Sequence, residues 1–169
     1  YLQVNCNRLS FTSLEPIPFW QLSETIGNTA LADEPTAKRQ LNHLLYDAVK
    51  KQLISDVPVG TFLSGGIDSS LVTAIAANIS GNEKIKTFSI AIDDGKYNEA
   101  GFAKQVATHL KTAHHEFAVK EKEVIELVDK LIPCFDEPFA DSSAFPTMMV
   151  SRLARKHVTV ALTGDGGDE

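Results

Sequence analysis

Val57-Pro58-Val59-Gly60-Thr61-Phe62-Leu63-Ser64-Gly65-Gly66-Ile67-Asp68-Ser69-Ser70 joins an apolar run to a glycine-rich turn and then to the start of a helix. Residues 57–63 have the composition of a short buried parallel strand, and Leu71-Val72-Thr73-Ala74-Ile75-Ala76-Ala77 continues as an apolar-faced helix. Gly65 and Gly66 can take positive φ at little cost and carry no Cβ, so backbone N–H groups can close directly on phosphate oxygens. The helix behind them points its unpaired N–H groups and its dipole at the same spot. Ser64, Ser69 and Ser70 add hydroxyl donors, and Asp68 puts a carboxylate where a metal ion is needed to make it welcome beside phosphates. The stretch reads as a nucleotide-phosphate site; the alternative is an ordinary strand-to-helix turn with an Asp or Ser cap.

The turn has no lysine, so it is not a G-x-x-x-x-G-K-[ST] loop, and its glycine spacing is not that of a G-x-G-x-x-G dinucleotide fingerprint. A second turn of related character ends the chain. Val158-Thr159-Val160-Ala161-Leu162-Thr163-Gly164-Asp165-Gly166-Gly167-Asp168-Glu169 is again a β-branched run that enters a glycine-rich, acidic turn.

Between and around these turns the pattern alternates. A helix is expected over 35–53, where Ala37, Leu41, Leu44, Leu45, Ala48 and Leu53 recur near helical spacing with Lys38, Arg39, Lys50 and Lys51 largely off that face. Strands are expected at 57–63, 85–92, 113–119 and 158–163, with helices at 68–79, 98–110, 121–131 (stopped by Pro133) and 145–157. Ser80-Gly81-Asn82 ends the first of these in the expected way. Such alternation specifies an α/β sheet with parallel strands and right-handed crossovers. Residues 1–32 are irregular, with Glu15-Pro16-Ile17-Pro18-Phe19-Trp20 resisting a helix, and read as a linker or the edge of a preceding domain. Residues 33–169 read as the domain proper. Tyr1 in place of Met, and a helix that would only be opening at Asp168 and Glu169, predict a piece of a longer protein.

At 169 residues the chain can bury a substantial core, and 43% hydrophobic content is ordinary. A net charge of −6 without a Lys/Arg stripe argues against a nucleic-acid surface. No apolar run approaches the ~20 residues of a membrane span, and residues 1–10 lack a signal-peptide plan. Cys6 and Cys134 are far apart, which disfavours a disulfide framework or zinc site and makes the cytoplasm the expected location.

The Ser-Gly-Gly-x-Asp-Ser pattern of 64–69 resembles the pyrophosphate-binding loop of the ATP pyrophosphatase superfamily. With Gly164-Asp165-Gly166-Gly167-Asp168-Glu169, Thr87-Phe88-Ser89-Ile90, His114-His115-Glu116 and Asp136-Glu137-Pro138, the chain from about Pro18 onward resembles the synthetase domain of the glutamine-dependent asparagine synthetase family. The resemblance implies a Rossmann-like sheet of the adenine nucleotide alpha hydrolase type in three α/β/α layers, with strand order 3-2-1-4. In such a sheet ligands bind beyond the carboxyl ends of the strands where the order reverses, here between the strands that end in the glycine-rich turns.

The chemistry implied is adenylation by ATP. A carboxylate acceptor, aspartate in the resembling family, attacks the α-phosphorus, and ammonia from a glutaminase domain then displaces AMP from the acyl-adenylate. The N–H groups of Gly65, Gly66 and Ser69, with Mg²⁺, would stabilise the departing pyrophosphate. Asp68 and Asp168, each after a glycine turn, are assigned to Mg²⁺ by resemblance and by that placement; helix capping is the alternative. By resemblance Phe62 and Ile90 line the base and Thr163 and Gly164 supply backbone contacts, although Phe62 and Ile90 are also ordinary core residues. Asp165 takes the position of an acidic residue implicated in amide formation, where many relatives have Glu. Relatives with the same chemistry act on other acceptors, in β-lactam formation or in sugar and cell-surface amidation. Residues 1–169 alone are expected to bind ATP–Mg²⁺ at best, and the resemblance is compatible with a homodimer of the full-length protein.

The loop 136–146 suits either a polar substrate or solvent, with Ser142 or Ser143 as the next helix cap. His114 and His115 alternate on a strand, so shared metal ligation is not expected. Asp93-Asp94-Gly95 reads as a turn.

Overall fold

The computed structural model describes residues 18, 20–21, 33–92, 99–119, 121–137, 141 and 143–167. The expected linker at 1–32 lies almost wholly outside them, as do Cys6, the Asp93-Asp94-Gly95 turn, Ser142 and Asp168. By its contacts the chain divides into Tyr1–Asn42 and His43–Glu169. In the first unit Asp33 accepts the Thr36 N–H at 2.6 Å, capping helix α1 (Glu34–Gln52), and Lys38 pairs with Glu34 one turn away.

The second unit carries the sheet. Its elements run β1 (Val59–Phe62), α2 (Ile67–Ser80), β2 (Lys86–Ile92), α3 (Ala100–Leu110), β3 (Ala113–Val119), α4 (Glu121–Leu131), a 3₁₀ turn at Ile132–Cys134, α5 (Ala144–Ala154) and β4 (Val160–Leu162). The four strands are ordered β3-β2-β1-β4 and every pair is parallel, the doubly wound order expected. Register sets Thr61 opposite Thr87, Phe62 opposite Phe88 and Thr61 opposite Leu162.

The pleat sends alternate side chains to opposite layers. Phe62, Phe88 and Ile90 pack against Val150 and Ala154 of α5, and Ile90 also meets Leu127 of α4 and Met149. On the other face Leu63 packs on Ala103 and Ala107 of α3, and Thr61 hydrogen-bonds Thr73 of α2. Val49, at the end of α1, closes a further cluster with Ile75, Ala76 and Ile85. Phe88 is wholly buried, which contributes about 1.5–3 kcal/mol. Gly60 permits this packing: a Cβ there would lie 2.7 Å from the Phe88 ring and 2.8 Å from the Lys86 carbonyl oxygen.

Several boundaries differ from the sequence expectation. β1 is confined to 59–62 and β4 to 160–162, and α5 stops at Ala154 instead of 157. The His157 and Val158 N–H groups both turn back to the Ala154 carbonyl at 2.8 Å, and Thr159 then donates to the Pro58 carbonyl at 3.1 Å, so the chain is captured by the sheet before another helical turn can form. Gly81 ends α2 with φ +61°, and Lys111 ends α3 in the left-handed region at φ +56°. No helix among the described residues is long and apolar enough to cross a membrane.

Candidate nucleotide-binding site

The turn after β1 is held by its own side chains. Gly65 has φ +90°, and a Cβ there would stand 2.6 Å from the Ala103 amide nitrogen. Gly66 does not share that conformation: at φ −67° and ψ 167° it is extended and takes the N-cap position of α2, so the expectation of positive φ holds at Gly65 only. No side chain caps α2, which leaves its first N–H groups directed out of the helix end.

The Ser69 hydroxyl donates to the Gly66 carbonyl at 3.3 Å and accepts the Ser64 N–H at 3.2 Å. The Ser64 and Ser69 hydroxyls are 2.9 Å apart, and Ser64 Oγ accepts the Gly66 N–H at 3.2 Å. Both hydroxyls therefore shape the loop from within. Ser70 Oγ is buried and without a hydrogen-bond partner among the described residues. Asp68 is exposed, and no lysine or arginine among the described residues pairs with it.

The turn after β4 lies directly against this loop. A Cβ on Gly164 would sit 2.7 Å from the Ser69 amide nitrogen and 2.9 Å from the Asp68 carbonyl carbon. A Cβ on Gly167 would lie 3.5 Å from the Asp68 carboxyl carbon. Gly166 turns the chain at φ +76°, Gly167 donates to the Gly164 carbonyl at 3.2 Å, and the Asp165 N–H reaches Thr163 Oγ1 at 3.3 Å. Asp68, Ser69, Gly164 and Gly167 thus share one place at the carboxyl ends of β1 and β4. Thr163 and Asp165 are exposed beside it. Asp168 follows Gly167 and lies outside the described residues.

Next to the loop, over the ends of β1 and β2, a cavity of about 270 Å³ is lined by Phe62, Ser64, Ser89, Ile90, Glu99 and Thr147, among others. Phe62, Ser64 and Ile90 were singled out from the sequence. Glu99 and Thr147 were not, and Ser89 entered only within the Thr87–Ile90 motif; the register that sets Phe62 beside Phe88 and the packing of α5 on β2 bring Ser89 and Thr147 to the cavity. Thr147 also borders a wider cavity of about 720 Å³, lined by Leu131, Phe135, Asp141, Ser143, Met148 and Arg152. There the Asp141 carboxylate accepts the Ser143 N–H at 2.8 Å and its hydroxyl at 2.7 Å, bonds that hold Asp141 below the usual carboxylate range. Ser143 precedes α5 but its hydroxyl does not cap it, because Asp141 has taken that hydroxyl.

The adjacent histidines face opposite layers. His114 bonds to Thr87 and Ser89 on the α3 side, whereas His115 stacks on Phe88 at 5.4 Å and on His157 at 4.0 Å. Cys134 is an exposed free thiol that donates to the Lys130 carbonyl at 3.2 Å.

Residues 40–169 match the model of the asparagine synthase family. A putative glutamine-hydrolysing asparagine synthetase of Methanocaldococcus jannaschii is 46% identical over 89% of this chain and 28% of its own length. Asparagine synthetase 1 of Bacillus subtilis is 37% identical over 81% of this chain and 21% of its own. An NH3-dependent NAD synthetase structure from Campylobacter jejuni superposes with a TM-score of 0.49 at 14% identity, over 73% of this chain and 54% of that one. The chain spans between a fifth and a third of the length of the curated relatives it matches. With two glycine-rich acidic turns meeting beyond a parallel sheet and the family model matching from residue 40 to 169, the chain belongs to the asparagine synthase family.

Proposed function

We propose that this chain is the ATP-binding and adenylating part of an amide-forming ligase that converts aspartate to asparagine. One observation carries the reading: Gly164 presses on the Asp68–Ser69 backbone, so the two turns form one cradle, as a site for a polyphosphate and its cation would require. The largely apolar cavity beside Ser64 offers room for a base, with Phe62 and Ile90 in its wall; Thr163 and Gly164 do not line it, and their backbone contacts rest on the family resemblance.

In this reading a β-carboxylate oxygen of aspartate attacks the α-phosphorus of ATP. The bond from that phosphorus to the pyrophosphate oxygen breaks, and the backbone N–H groups of Gly65 and Ser69 take up charge on the leaving pyrophosphate; the Gly66 N–H, expected to join them, is given to Ser64 Oγ at 3.2 Å. Asp68 and Asp168 would hold Mg²⁺, and the exposed Asp68, lacking a cationic side-chain partner among the described residues, fits that role. Bound there, Mg²⁺ supplies charge neutralisation for the phosphates.

Ammonia, delivered from glutamine by a glutaminase domain, then attacks the acyl carbon of β-aspartyl-AMP. AMP leaves and the amide forms, with Asp165 at the position for handling the ammonia-derived protons. The deciding experiment is aspartate-dependent release of pyrophosphate and AMP by the full-length protein. Release with a different acid and not with aspartate would retain the adenylation and overturn the acceptor.

A further inference from the structure

Ser89 stands in the wall of the smaller cavity, and a chain of hydrogen bonds determines which way its hydroxyl points. Phe88 and Ile90 face α5, so Ser89 belongs to the opposite face with Thr87, beside Leu63 and Glu99 on the α3 side of the cavity. Its Oγ lies 3.2 Å from His114 Nε2, and His114 Nδ1 lies 2.9 Å from Thr87 Oγ1. Thr87 Oγ1 is also 2.9 Å from Thr112 Oγ1, which donates to the Ala107 carbonyl at 3.5 Å. The protons can be followed along this chain. The Ala107 carbonyl can only accept, so the arrangement that satisfies every contact has Thr112 donating there and accepting the proton of Thr87. Thr87 then accepts from His114 Nδ1–H. In a neutral imidazole Nε2 is left as an acceptor and takes the Ser89 proton. Only lone pairs of Ser89 remain for the cavity.

We propose that Ser89, oriented by His114, is a specificity-determining residue that offers a hydrogen-bond acceptor to the six-position of a bound purine, selecting a 6-amino over a 6-oxo nucleotide. The proposal rests on the nucleotide reading above and adds to it a discriminating pair. His114 is the positioning residue. If it were protonated, Nε2–H would donate to Ser89, and the serine hydroxyl would turn its own proton into the cavity, favouring a 6-oxo group. Among the groups facing His114, Glu116 favours the protonated imidazole while His115 and Lys104 oppose it. Burial is the largest influence and holds His114 below the ordinary histidine range, so the acceptor form prevails at neutral pH.

The test compares dissociation constants for ATP and inosine triphosphate, which share the triphosphate and differ at the six-position and the N1 proton. Ser89→Ala and His114→Phe in the full-length protein should each lower the preference for ATP by about tenfold, the size of one hydrogen bond lost. In the wild type the preference should hold across the ordinary histidine range and fall only as pH is lowered beneath it, because burial holds His114 below that range, and His114→Phe should abolish that dependence. An unchanged preference in Ser89→Ala, or a wild-type preference that stays flat below the ordinary histidine range while the protein remains folded, overturns the proposal while the nucleotide reading stands. Failure of the wild type to bind either nucleotide overturns the nucleotide reading itself. Ser89→Ala and the wild-type pH profile keep the test decisive should His114→Phe not fold.

Discussion

Gly164 lies so close to Ser69 that a single methyl group on it would stand 2.7 Å from the Ser69 amide nitrogen. The two residues are nearly a hundred positions apart, in the turns after β4 and β1. Parallel pairing of these strands, with Gly60 opposite Ala161 and Thr61 opposite Leu162, delivers both turns to the same edge of the sheet. A backbone approach of this kind leaves room for no side chain at position 164.

Gly164→Ala should therefore damage the site out of proportion to its size. The obstructing atoms are backbone, at Ser69 and Asp68, and cannot swing aside. Overpacking should lower stability by about 1–3 kcal/mol, read from urea denaturation. ATP affinity should fall further than that of an alanine at Gly101, where a Cβ would meet nothing. Equal affinities in the two variants would dissolve the idea of a joint cradle.

Asp68 bears on the cation. Calorimetric titration with ATP, with and without Mg²⁺, should show metal-enhanced binding in the wild type and loss of that enhancement in Asp68→Asn. Metal-free ATP should bind the variant at least as well, because a negative charge beside the phosphates has been removed. The same Mg²⁺ enhancement in both proteins would take Asp68 out of the metal shell.

What could be read in advance followed from local chemistry. An apolar run entering Ser64-Gly65-Gly66 and a helix start is legible because each part rests on neighbours in sequence, and the turn formed where it was expected. The strand order came from family resemblance, since nothing in β4 alone says that it pairs with β1. The hydroxyl pairing of Ser64 with Ser69 was missed because it diverts donors that a sequence shows only as available. The extended Gly66 was missed for a related reason: tolerance of positive φ does not require its use. The ladder from Thr112 through Thr87 and His114 to Ser89 depends on the β2–β3 register, and so appears only once Thr87 is set against His114.

Acid should weaken the fold through its histidines. His115 is held below the ordinary histidine range by burial first, then by His157 and Lys86, and His114 is lowered mainly by burial. A histidine whose folded pKa is depressed binds fewer protons in the native than in the unfolded state. Stability then rises with pH through that interval and is lost as pH falls below about 6.5, the unfolded value. Urea midpoints measured above and below that pH should show the loss, and His115→Phe, which keeps a ring against Phe88, should reduce it. An identical pH slope in the variant would assign the effect elsewhere.

The buried pair of Thr61 and Thr73 gives the sharpest energetic test. Both side chains are fully buried, on β1 and α2, and their hydroxyls are 2.9 Å apart. Replacing one partner with valine keeps the shape but strands the other hydroxyl in an apolar layer, at about 1–3 kcal/mol. Replacing both removes the unsatisfied group. Thr61→Val and Thr73→Val should therefore each destabilise the protein, while the double variant should lie well above the sum of the two, with a coupling of about 1 kcal/mol or more. Strict additivity in urea unfolding would mean that the hydroxyls contribute separately and that the joint between β1 and α2, which flanks the Ser64–Gly66 turn, is held by apolar contact alone.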